Sequence, residues 1–441
     1  MKNISFLLIF MMIGVLAKAQ IVNPKETAKR KATDRINNKI DQGIDKGLDK
    51  VEGVFKKKDK KKKDNEPKEA DNSTDNTNTD ANGKSEEKQE NTAKGSTPSL
   101  KAYSKFDFVA GEKVIYFDDY STTNVGDFPA NWNTNASGEI VSLDGNDSKF
   151  LKVGKKGIFI PESLKELPEN FTVEFDMAVS EDMSEMEGGL LVVFPVLKER
   201  NLNYDIYFNR KPQANIELHP VGAGQGHTSI MYVADKNSES TGEWAISNQT
   251  KLNDSWKSGK INRISFWRQK TRLRMYINEH KVWDIPKAFS ENQKCSMLFG
   301  TNIWEGSMFV ANLRVAIGQP DTRSKLITEG KLVTRGITFD TGSDKIKPES
   351  YGILKEIAQV LSENPSVKVK IVGHTDSDGN AANNLELSKK RAAAVRQALA
   401  SEFKIDSSRM QTDGKGAAEP SEANTTPQGK ANNRRVEFIK L

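Results

Sequence analysis

Cysteine is almost absent from this sequence: Cys295 is the single one among 441 residues. A lone cysteine cannot form a disulfide within the chain, so the fold has no covalent cross-link to support it. No thiol stands near residue 19, where lipid attachment after export would need one. Because the surrounding segment is rich in β-strand patterns, we expect Cys295 to be a small buried apolar side chain.

Long apolar runs are also scarce. One run extends from Ile4 to Ala17, which is shorter than the roughly 20 residues that a membrane-spanning helix needs. Lys2 precedes it, and the triplet Ala17-Lys18-Ala19 follows it. This order is typical of a secretory signal peptide, so we expect residues 1–19 to be removed after Ala19 during export. No other stretch is long and apolar enough to cross a bilayer as a helix.

Large apolar residues are nearly missing from residues 64–99, which predicts a disordered linker. Before it, residues 20–63 combine a marginal amphipathic helix with a lysine-rich end. Seven of the eight residues from Lys56 to Lys63 are lysine; this block is either a solvated spacer or a contact for an anionic membrane surface. Export argues against a nucleic-acid partner. The helix is indicated by apolar residues spaced by three and four: Ile36, Ile40, Ile44, Leu48, Val51 and Phe55.

Residues 100–320 contain short alternating apolar runs separated by turn-type residues, with no long helical pattern. Eight or more such runs favour an antiparallel β-sandwich or barrel. In the run 171-FTVEFDMAV, Phe171 and Phe175 fall on one face and Thr172 and Glu174 on the other. We expect the first face to be buried and the second to be in water.

Three stretches of this segment, 116-YFDDYSTTNVGDFPANW, 272-RLRMYINEHKVWDIP and 308-MFVANLRVA, resemble concanavalin A-like (laminin G-like) jelly rolls. Hydrolases of that fold use paired carboxylates in the pattern E-x-D-x-x-E. Glu174 and Asp176 begin the pattern, but the next acid, Glu181, comes too late. The tryptophans suit either core packing or stacking on sugars, and 144-DGND is a possible calcium turn that the sequence does not decide.

Residues 325–441 alternate strands and helices. The strands are expected at 335-RGITFD, 366-SVKVKIVG, residues 410–412 and 434-RRVEFIKL. One helix opens at Pro348, and a second runs from about Asn383 to Phe403. The order β-α-β-α-β-β predicts a small α/β sandwich, so the whole chain is expected to be multidomain.

This last segment resembles the OmpA-like peptidoglycan-binding family over nearly its full length. The resemblance rests on 337-ITFDTGSDKI, 371-IVGHTDSDGNAANNLELSKKRAAAV, 414-GKGAAEP, Asn424, Thr426, Gly429 and 432-NNRRVEF. In that family an Asp and an Arg hold the diaminopimelate of the cell-wall stem peptide. The matching positions are Asp376 and Arg391. Thr375, Asn384 and Arg435 match positions that surround the same ligand, and we expect Arg434 to be a surface or salt-bridge residue.

The chemistry of the ligand agrees with this pair. Diaminopimelate carries a free ammonium and a free carboxylate on one carbon. Asp376 can accept the ammonium protons, and Arg391 can offer two parallel N–H groups to the carboxylate. His374 stands beside no nucleophile motif, so we expect it to be structural. The sequence indicates no catalytic residue or cofactor, and no residue is assigned as a metal ligand.

Together these features predict a non-catalytic cell-envelope protein, in the periplasm and associated with the outer membrane. It would bind peptidoglycan and present a β-sandwich whose own partner, a glycan or an envelope protein, the sequence does not identify. Two alternatives remain open. One is an outer-membrane β-barrel protein anchored to the wall; the other is a wall-anchored glycan hydrolase.

Overall fold

A computed structural model describes residues 106–184, 188–195, 213–224, 226–232, 246–318 and 321–441. The predicted signal peptide (1–19), the segment 20–63 and the linker 64–99 lie outside the described residues. All described residues belong to one compact unit. No helix in this part of the chain is long and apolar enough to cross a membrane.

Fifteen strands are described before residue 319; we call residues 106–318 the two-sheet region. Their bounds are β1 Lys113–Asp118, β2 Trp132–Thr134, β3 Gly138–Ser142, β4 Lys149–Val153, β5 Lys156–Pro161, β6 Asn170–Val179, β7 Gly188–Pro195, β8 Gln213–His219, β9 His227–Tyr232, β10 Ile246–Lys251, β11 Asn262–Gln269, β12 Arg272–Ile277, β13 His280–Ile285, β14 Leu298–Ile303 and β15 Met308–Ile317.

These strands form two sheets whose described pairs are all antiparallel. Sheet A has the order β13-β12-β11-β6-β15-β4-β3, and β1 pairs with β15 off this path. Sheet B has the order β10-β9-β8-β7-β14-β5-β2. The prediction that this part of the chain is mainly antiparallel sheet is therefore confirmed.

The inner faces of the two sheets share one apolar core. Phe175 of sheet A meets Phe299 of sheet B edge to face, with ring centroids 5.1 Å apart. Phe194 of sheet B meets Phe266 of sheet A in the same way at 5.5 Å. Cys295 lies in this core, 3% exposed, as expected. Burial raises the pKa of its thiol to about 11, and Arg268 Nη1 donates to its Sγ at 3.3 Å.

The outer face of sheet A is not in water, so that part of the β6 prediction was wrong. Thr172 is 1% exposed and Glu174 is 2% exposed. The Thr172 hydroxyl accepts the backbone N–H of Gly111 at 3.0 Å, and Glu174 forms ion pairs with Arg263 and Arg314. Alternating apolar and polar residues show that a strand has two different faces, but not what covers each face. Here the polar face is covered by the arginines that pair with Glu174 and by the segment around Gly111.

Residues 321–441, the C-terminal region, form a four-stranded mixed sheet with helices against it. The strand order is β16-β19-β17-β18; β17 and β18 are parallel, and the other two pairs are antiparallel. The bounds are β16 Lys331–Thr334, α1 Tyr351–Glu363, β17 Val369–His374, α2 Ala381–Ser401, β18 Met410–Gly416, α3 Pro427–Asn433 and β19 Val436–Lys440. Short 3-10 turns lie at Pro348–Ser350 and Ser407–Arg409, and a π turn lies at Ser324–Thr328. The two-sheet region has one described 3-10 turn, Asn253–Ser255.

Two details differ from the predicted order of this region. The first strand is Lys331–Thr334, whereas residues 337–346 form a turn closed by a bridge between Phe339 and Ile346. A short helix, α3, stands between the last two strands. Thr426 caps α3 by accepting the N–H of Gly429 at 3.0 Å. A Thr-Pro start to a helix is a readable signal.

The C-terminal region docks on the outer face of sheet A. Phe106, Phe108, Trp267 and Tyr276 of the two-sheet region belong to the same apolar cluster as the buried side of α1. Gly352 of α1 lies against the backbone of Phe108, where an added Cβ would stand 1.9 Å from the carbonyl oxygen. The two regions therefore share a core. This packing places β1 of the two-sheet region beside the candidate ligand residues of the C-terminal region.

Candidate ligand-binding site

Asp376 lies just beyond the C-terminal end of β17. It is 9% exposed. Its Oδ1 accepts the N–H of Asp378 at 3.1 Å, and its Oδ2 pairs with Arg434 Nη1 at 2.6 Å. The Thr375 hydroxyl donates to the carbonyl of Asp376 at 2.8 Å. The Asp376 carboxylate is thus held in one orientation at the C-terminal end of β17. Its oxygens still have lone pairs that can accept a further hydrogen bond.

Asn384 stabilises the backbone around that carboxylate. Its Nδ2 donates to the carbonyls of Asp376 and Asp378, at 3.3 and 2.8 Å. The helix that carries Asn384, α2, begins after Asn380, whose side chain accepts the N–H of Ala382 at 2.9 Å. In the structure, Thr375 and Asn384 therefore shape the loop that presents Asp376.

Helix α2 can approach the strand ends because glycine faces it. A Cβ at Gly373 would stand 2.3 Å from the carbonyl of Ser388, and one at Gly414 would stand 2.3 Å from the Ser388 hydroxyl. Gly379, in the loop before α2, has a φ of +84°, which favours glycine. These contacts bring Arg391, one turn after Ser388, to the same end of the sheet.

Arg391 is held by backbone carbonyls. Its Nε donates to Ser343 at 2.9 Å and its Nη2 to Asp340 at 3.4 Å. The guanidinium carbon lies 4.9 Å from the ring centre of Phe339. All three partners belong to the turn 337–346. Two of them, Phe339 and Asp340, lie in the stretch that was predicted as a strand and that contacts this arginine instead.

Arg391 and Asp376 share one electrostatic environment. Burial lowers the pKa of Arg391, the carboxylate of Asp376 opposes that shift, and the guanidinium of Arg434 adds to it. Within the described residues the ion pair of Asp376 is with Arg434, not with Arg391. The carboxylates of Asp376 and Asp344 thus act on Arg391 together with the guanidinium of Arg434.

Arg434 is the site residue that sequence reasoning undervalued. We expected a salt-bridge residue, which it is, but its partner is Asp376 itself. The guanidinium of Arg435 lies elsewhere: Nε donates to Glu437 at 2.9 Å and Nη2 to the carbonyl of Glu419 at 2.9 Å. The two arginines lie in the connection between α3 and β19, and their side chains reach different partners. A ligand role for Arg435 stays a prediction.

A buried charge network lies beneath the site. Glu437 pairs with Arg435 at 2.9 Å and with Lys331 at 2.8 Å, and His374 Nε2 lies 3.6 Å from its carboxylate. Burial acts to raise the pKa of Glu437, but the interactions with His374, Lys331 and Arg435 outweigh it and hold that pKa well below its usual range. His374 itself is buried, 2% exposed.

The remaining motif residues brace the loops around the site. Asn424 Oδ1 accepts the N–H of Ser377 at 3.2 Å and the side-chain amide of Asn433 at 2.9 Å. A Cβ at Gly429 would stand 1.9 Å from the carbonyl of Ala423. Lys430 pairs with Asp378 at 2.7 Å on the exposed rim. Among the described residues, no group of three or more His, Cys, Asp or Glu side chains is arranged to hold a metal ion.

Comparison with known proteins agrees with this geometry. Residues 338–434 match the OmpA family, so the chain contains an OmpA family domain and the resemblance of the C-terminal segment is confirmed. The match includes Asp376, Arg391 and Arg434 and stops before Arg435.

Three curated relatives align with this part of the chain. The Probable lipoprotein YiaD of Escherichia coli (strain K12) is 44% identical over 102 residues, which are 23% of this chain and 46% of the relative. Outer membrane porin F of Pseudomonas aeruginosa is 38% identical over 111 residues, 25% of this chain and 32% of the relative. Peptidoglycan-binding protein ArfA of Mycobacterium tuberculosis is 30% identical over 161 residues, which cover 34% of this chain and 48% of the relative. The chain spans less than half the length of each.

Proposed function

We propose that this is a non-catalytic cell-envelope protein that binds peptidoglycan through the diaminopimelate of the stem peptide. The observation that carries the proposal is the cluster of Asp376, Arg391 and Arg434 at the end of β17, inside an OmpA family domain. A relative whose name is Peptidoglycan-binding protein ArfA supports the ligand class. Relatives named as a lipoprotein and as an outer membrane porin support a place in the periplasm, associated with the outer membrane.

The proposed recognition uses complementary charges. The free ammonium of diaminopimelate meets Asp376, whose oxygens still have lone pairs beside the bonds to Arg434 and Asp378. The carboxylate on the same carbon meets Arg391, whose planar guanidinium can form two parallel hydrogen bonds. Thr375, Asn384 and Arg435 contribute by holding the surrounding backbone and the charge network beneath it.

The experiment is a pull-down with purified sacculi. We expect Asp376→Ala and Arg391→Ala to lose binding while the circular dichroism spectrum stays that of the wild type. Arg396→Ala, on the same helix, is the matched control and should bind normally. Sacculi that carry lysine in place of diaminopimelate should bind weakly to every variant. Undiminished binding by both site variants would falsify the proposal.

We further propose that the two-sheet region is a concanavalin A-like (laminin G-like) jelly roll that presents a binding surface of its own. The opening motif supports this assignment, because Asp118 joins its parts: the carboxylate accepts hydrogen bonds from Trp132 Nε1 at 2.9 Å and from the backbone N–H of Tyr120 at 3.0 Å. Trp304, in the turn before β15, is 66% exposed, whereas Trp132, Trp256, Trp267 and Trp283 are buried.

An exposed indole ring is suited to stack on a sugar. The test is a glycan array probed with the full chain and with Trp304→Ala. Loss of a wild-type signal in the variant supports sugar binding at that turn. Equal signals from both proteins place sugar binding away from that turn, and no signal from either argues against sugar binding.

A further inference from the structure

The two-sheet region contributes an aromatic ring to the edge of the OmpA family site. The ring of Phe117, in β1, lies 5.3 Å from the guanidinium carbon of Arg434. Arg434 in turn pairs with Asp376 at 2.6 Å. A cation over an aromatic face is attracted to the ring's electron density. Phe117 therefore touches the proposed site through one intermediate residue, although it lies outside residues 338–434.

A break in the strand register aims Phe117 at the site. Regular alternation would place Val114 and Phe117 on opposite faces of β1. The pairing of β1 with β15 shifts between Val114 and Tyr116, so Val114 and Phe117 both reach one small cluster with Ala431 of α3. Tyr116 points the other way, into the core of the two-sheet region. Such a bulge re-aims a side chain, and bulges are common beside functional sites.

Hydrogen bonds hold β1 at a set distance from Arg434. The side chain of Asn432 accepts the N–H of Val114 at 3.1 Å and donates to its carbonyl at 2.9 Å. Arg335 donates to the carbonyl of Glu112 at 2.8 Å, and Lys325 pairs with the Glu112 carboxylate at 2.5 Å. Because Asn432 is two residues before Arg434, the same contacts fix both partners of the ring–cation contact.

We propose that Phe117 is a positioning residue for peptidoglycan binding. Its ring holds the guanidinium of Arg434 against Asp376, so that the Asp376 carboxylate keeps one orientation and Arg434, together with Arg391, offers N–H groups to the ligand carboxylate. The inference rests on the proposed function. Arg434 needs such support because its side chain is 37% exposed, while that of Asp376 is 12% exposed. An exposed arginine without a packed partner samples several rotamers, and ordering it costs free energy on binding.

The test compares full-length variants for affinity to diaminopimelate-containing muropeptides. Phe117→Leu keeps an apolar side chain but removes the aromatic ring, and we expect affinity to fall roughly two- to fivefold. Phe117→Tyr keeps the ring and should bind like the wild type. Ile115→Val, in the same strand but packed against the core of the two-sheet region, should also leave the affinity unchanged.

A double-mutant cycle with Arg434→Gln separates positioning from a merely structural effect. If Phe117 acts through Arg434, then Phe117→Leu should not weaken binding further once Arg434 is replaced. An equal loss in both backgrounds, or no loss with Phe117→Leu alone, overturns the inference. Asp376→Ala reports on the proposed function independently: if it abolishes binding while Phe117→Leu has no effect, the positioning role is wrong but the peptidoglycan site stands.

Discussion

The side-chain amide of Asn432 forms hydrogen bonds with both backbone groups of Val114, a residue 318 positions earlier in the chain. Asn432 is fully buried, and its Nδ2 also reaches the carboxylate of Glu422 at 3.0 Å. The amide thus acts as a neighbouring strand would, pairing with the exposed edge of β1. Asn432, a residue of the OmpA family domain, thus binds β1 of the two-sheet region close to the candidate ligand site.

We expect Asn432→Ala to lower the free energy of unfolding by about 1–3 kcal/mol, because it leaves the buried N–H and C=O of Val114 without these partners. Urea unfolding measures the change, and amide hydrogen exchange of Val114 should speed up. Gln428→Ala, on the first turn of the same helix, is the control. Unchanged exchange at Val114 in the Asn432 variant would show that the contact does not hold β1.

The close approach of α1 to Phe108 makes a second prediction. An alanine methyl at Gly352 would overlap the carbonyl of Phe108, so Gly352→Ala should destabilise the fold by roughly 1–3 kcal/mol. This loss would occur although alanine is favoured over glycine within helices by about 1 kcal/mol. Gly336→Ala is the matched control, since its added methyl would stand 3.4 Å from Ile353 Cγ2, an ordinary contact. Thermal unfolding of the two variants distinguishes them; equal midpoints contradict the docking.

The covered face of sheet A leads to a third prediction. Glu174 pairs with Arg263 and with the buried Arg314; Glu174→Gln leaves Arg314 without this anion, whereas Arg263 keeps its pair with Asp176 at 2.9 Å. We expect a loss of about 3 kcal/mol or more in the free energy of unfolding. Glu139→Gln, which removes an exposed pair with Lys152 at the sheet edge, should cost less than about 1 kcal/mol. Chemical denaturation provides both values, and similar losses would argue that Glu174 faces water.

The lowered pKa of Glu437 leads to a prediction of how the free energy of unfolding depends on pH. Its folded pKa is lowered by the interactions with His374, Lys331 and Arg435, which outweigh the effect of burial. A lowered folded pKa stabilises the protein above the unfolded pKa of about 4.3, and this stabilisation is lost as pH falls toward the folded value. The stability gap between wild type and Glu437→Gln should therefore be largest near neutral pH and narrow below about pH 4.3.

Urea unfolding from pH 7 to pH 3 measures that gap. Glu305→Gln, at an exposed position in the turn before β15, should show the same stability as the wild type across the range. A gap between wild type and Glu437→Gln that stays constant with pH would mean that the carboxylate is not held ionised by its neighbours.

Much of the C-terminal region could be read from the sequence because its signals are local. The helix α1 buries Ile353, Leu354, Ile357, Ala358 and Leu361, as their spacing predicts. The residues from His374 to Arg391 were recognisable as a family motif, and the family match confirms that recognition. The assignment of Asp376 and Arg391 to diaminopimelate stays a prediction that the pull-down tests.

The environment of each polar residue could not be read in the same way. Glu174 on an alternating strand looks identical whether it meets water or buried arginines. Arg434 and Arg435 are adjacent and chemically equal, and the geometry at the start of β19 alone directs the first toward Asp376 and the second toward Glu437. Phe117 carries no signal of its own, because its partner lies 317 residues further along the chain.

The sequence by itself determined the family of the C-terminal segment, the antiparallel character of the middle segment and the two principal candidate ligand residues. Each of these depends on periodicity or on motif spacing within one stretch of chain. Only the tertiary structure decided that the two regions share a core, that Arg434 is the counter-ion of Asp376 and that β1 borders the site. These are contacts between distant segments, and hydrophobic burial and charge pairing select them only when the whole chain has folded.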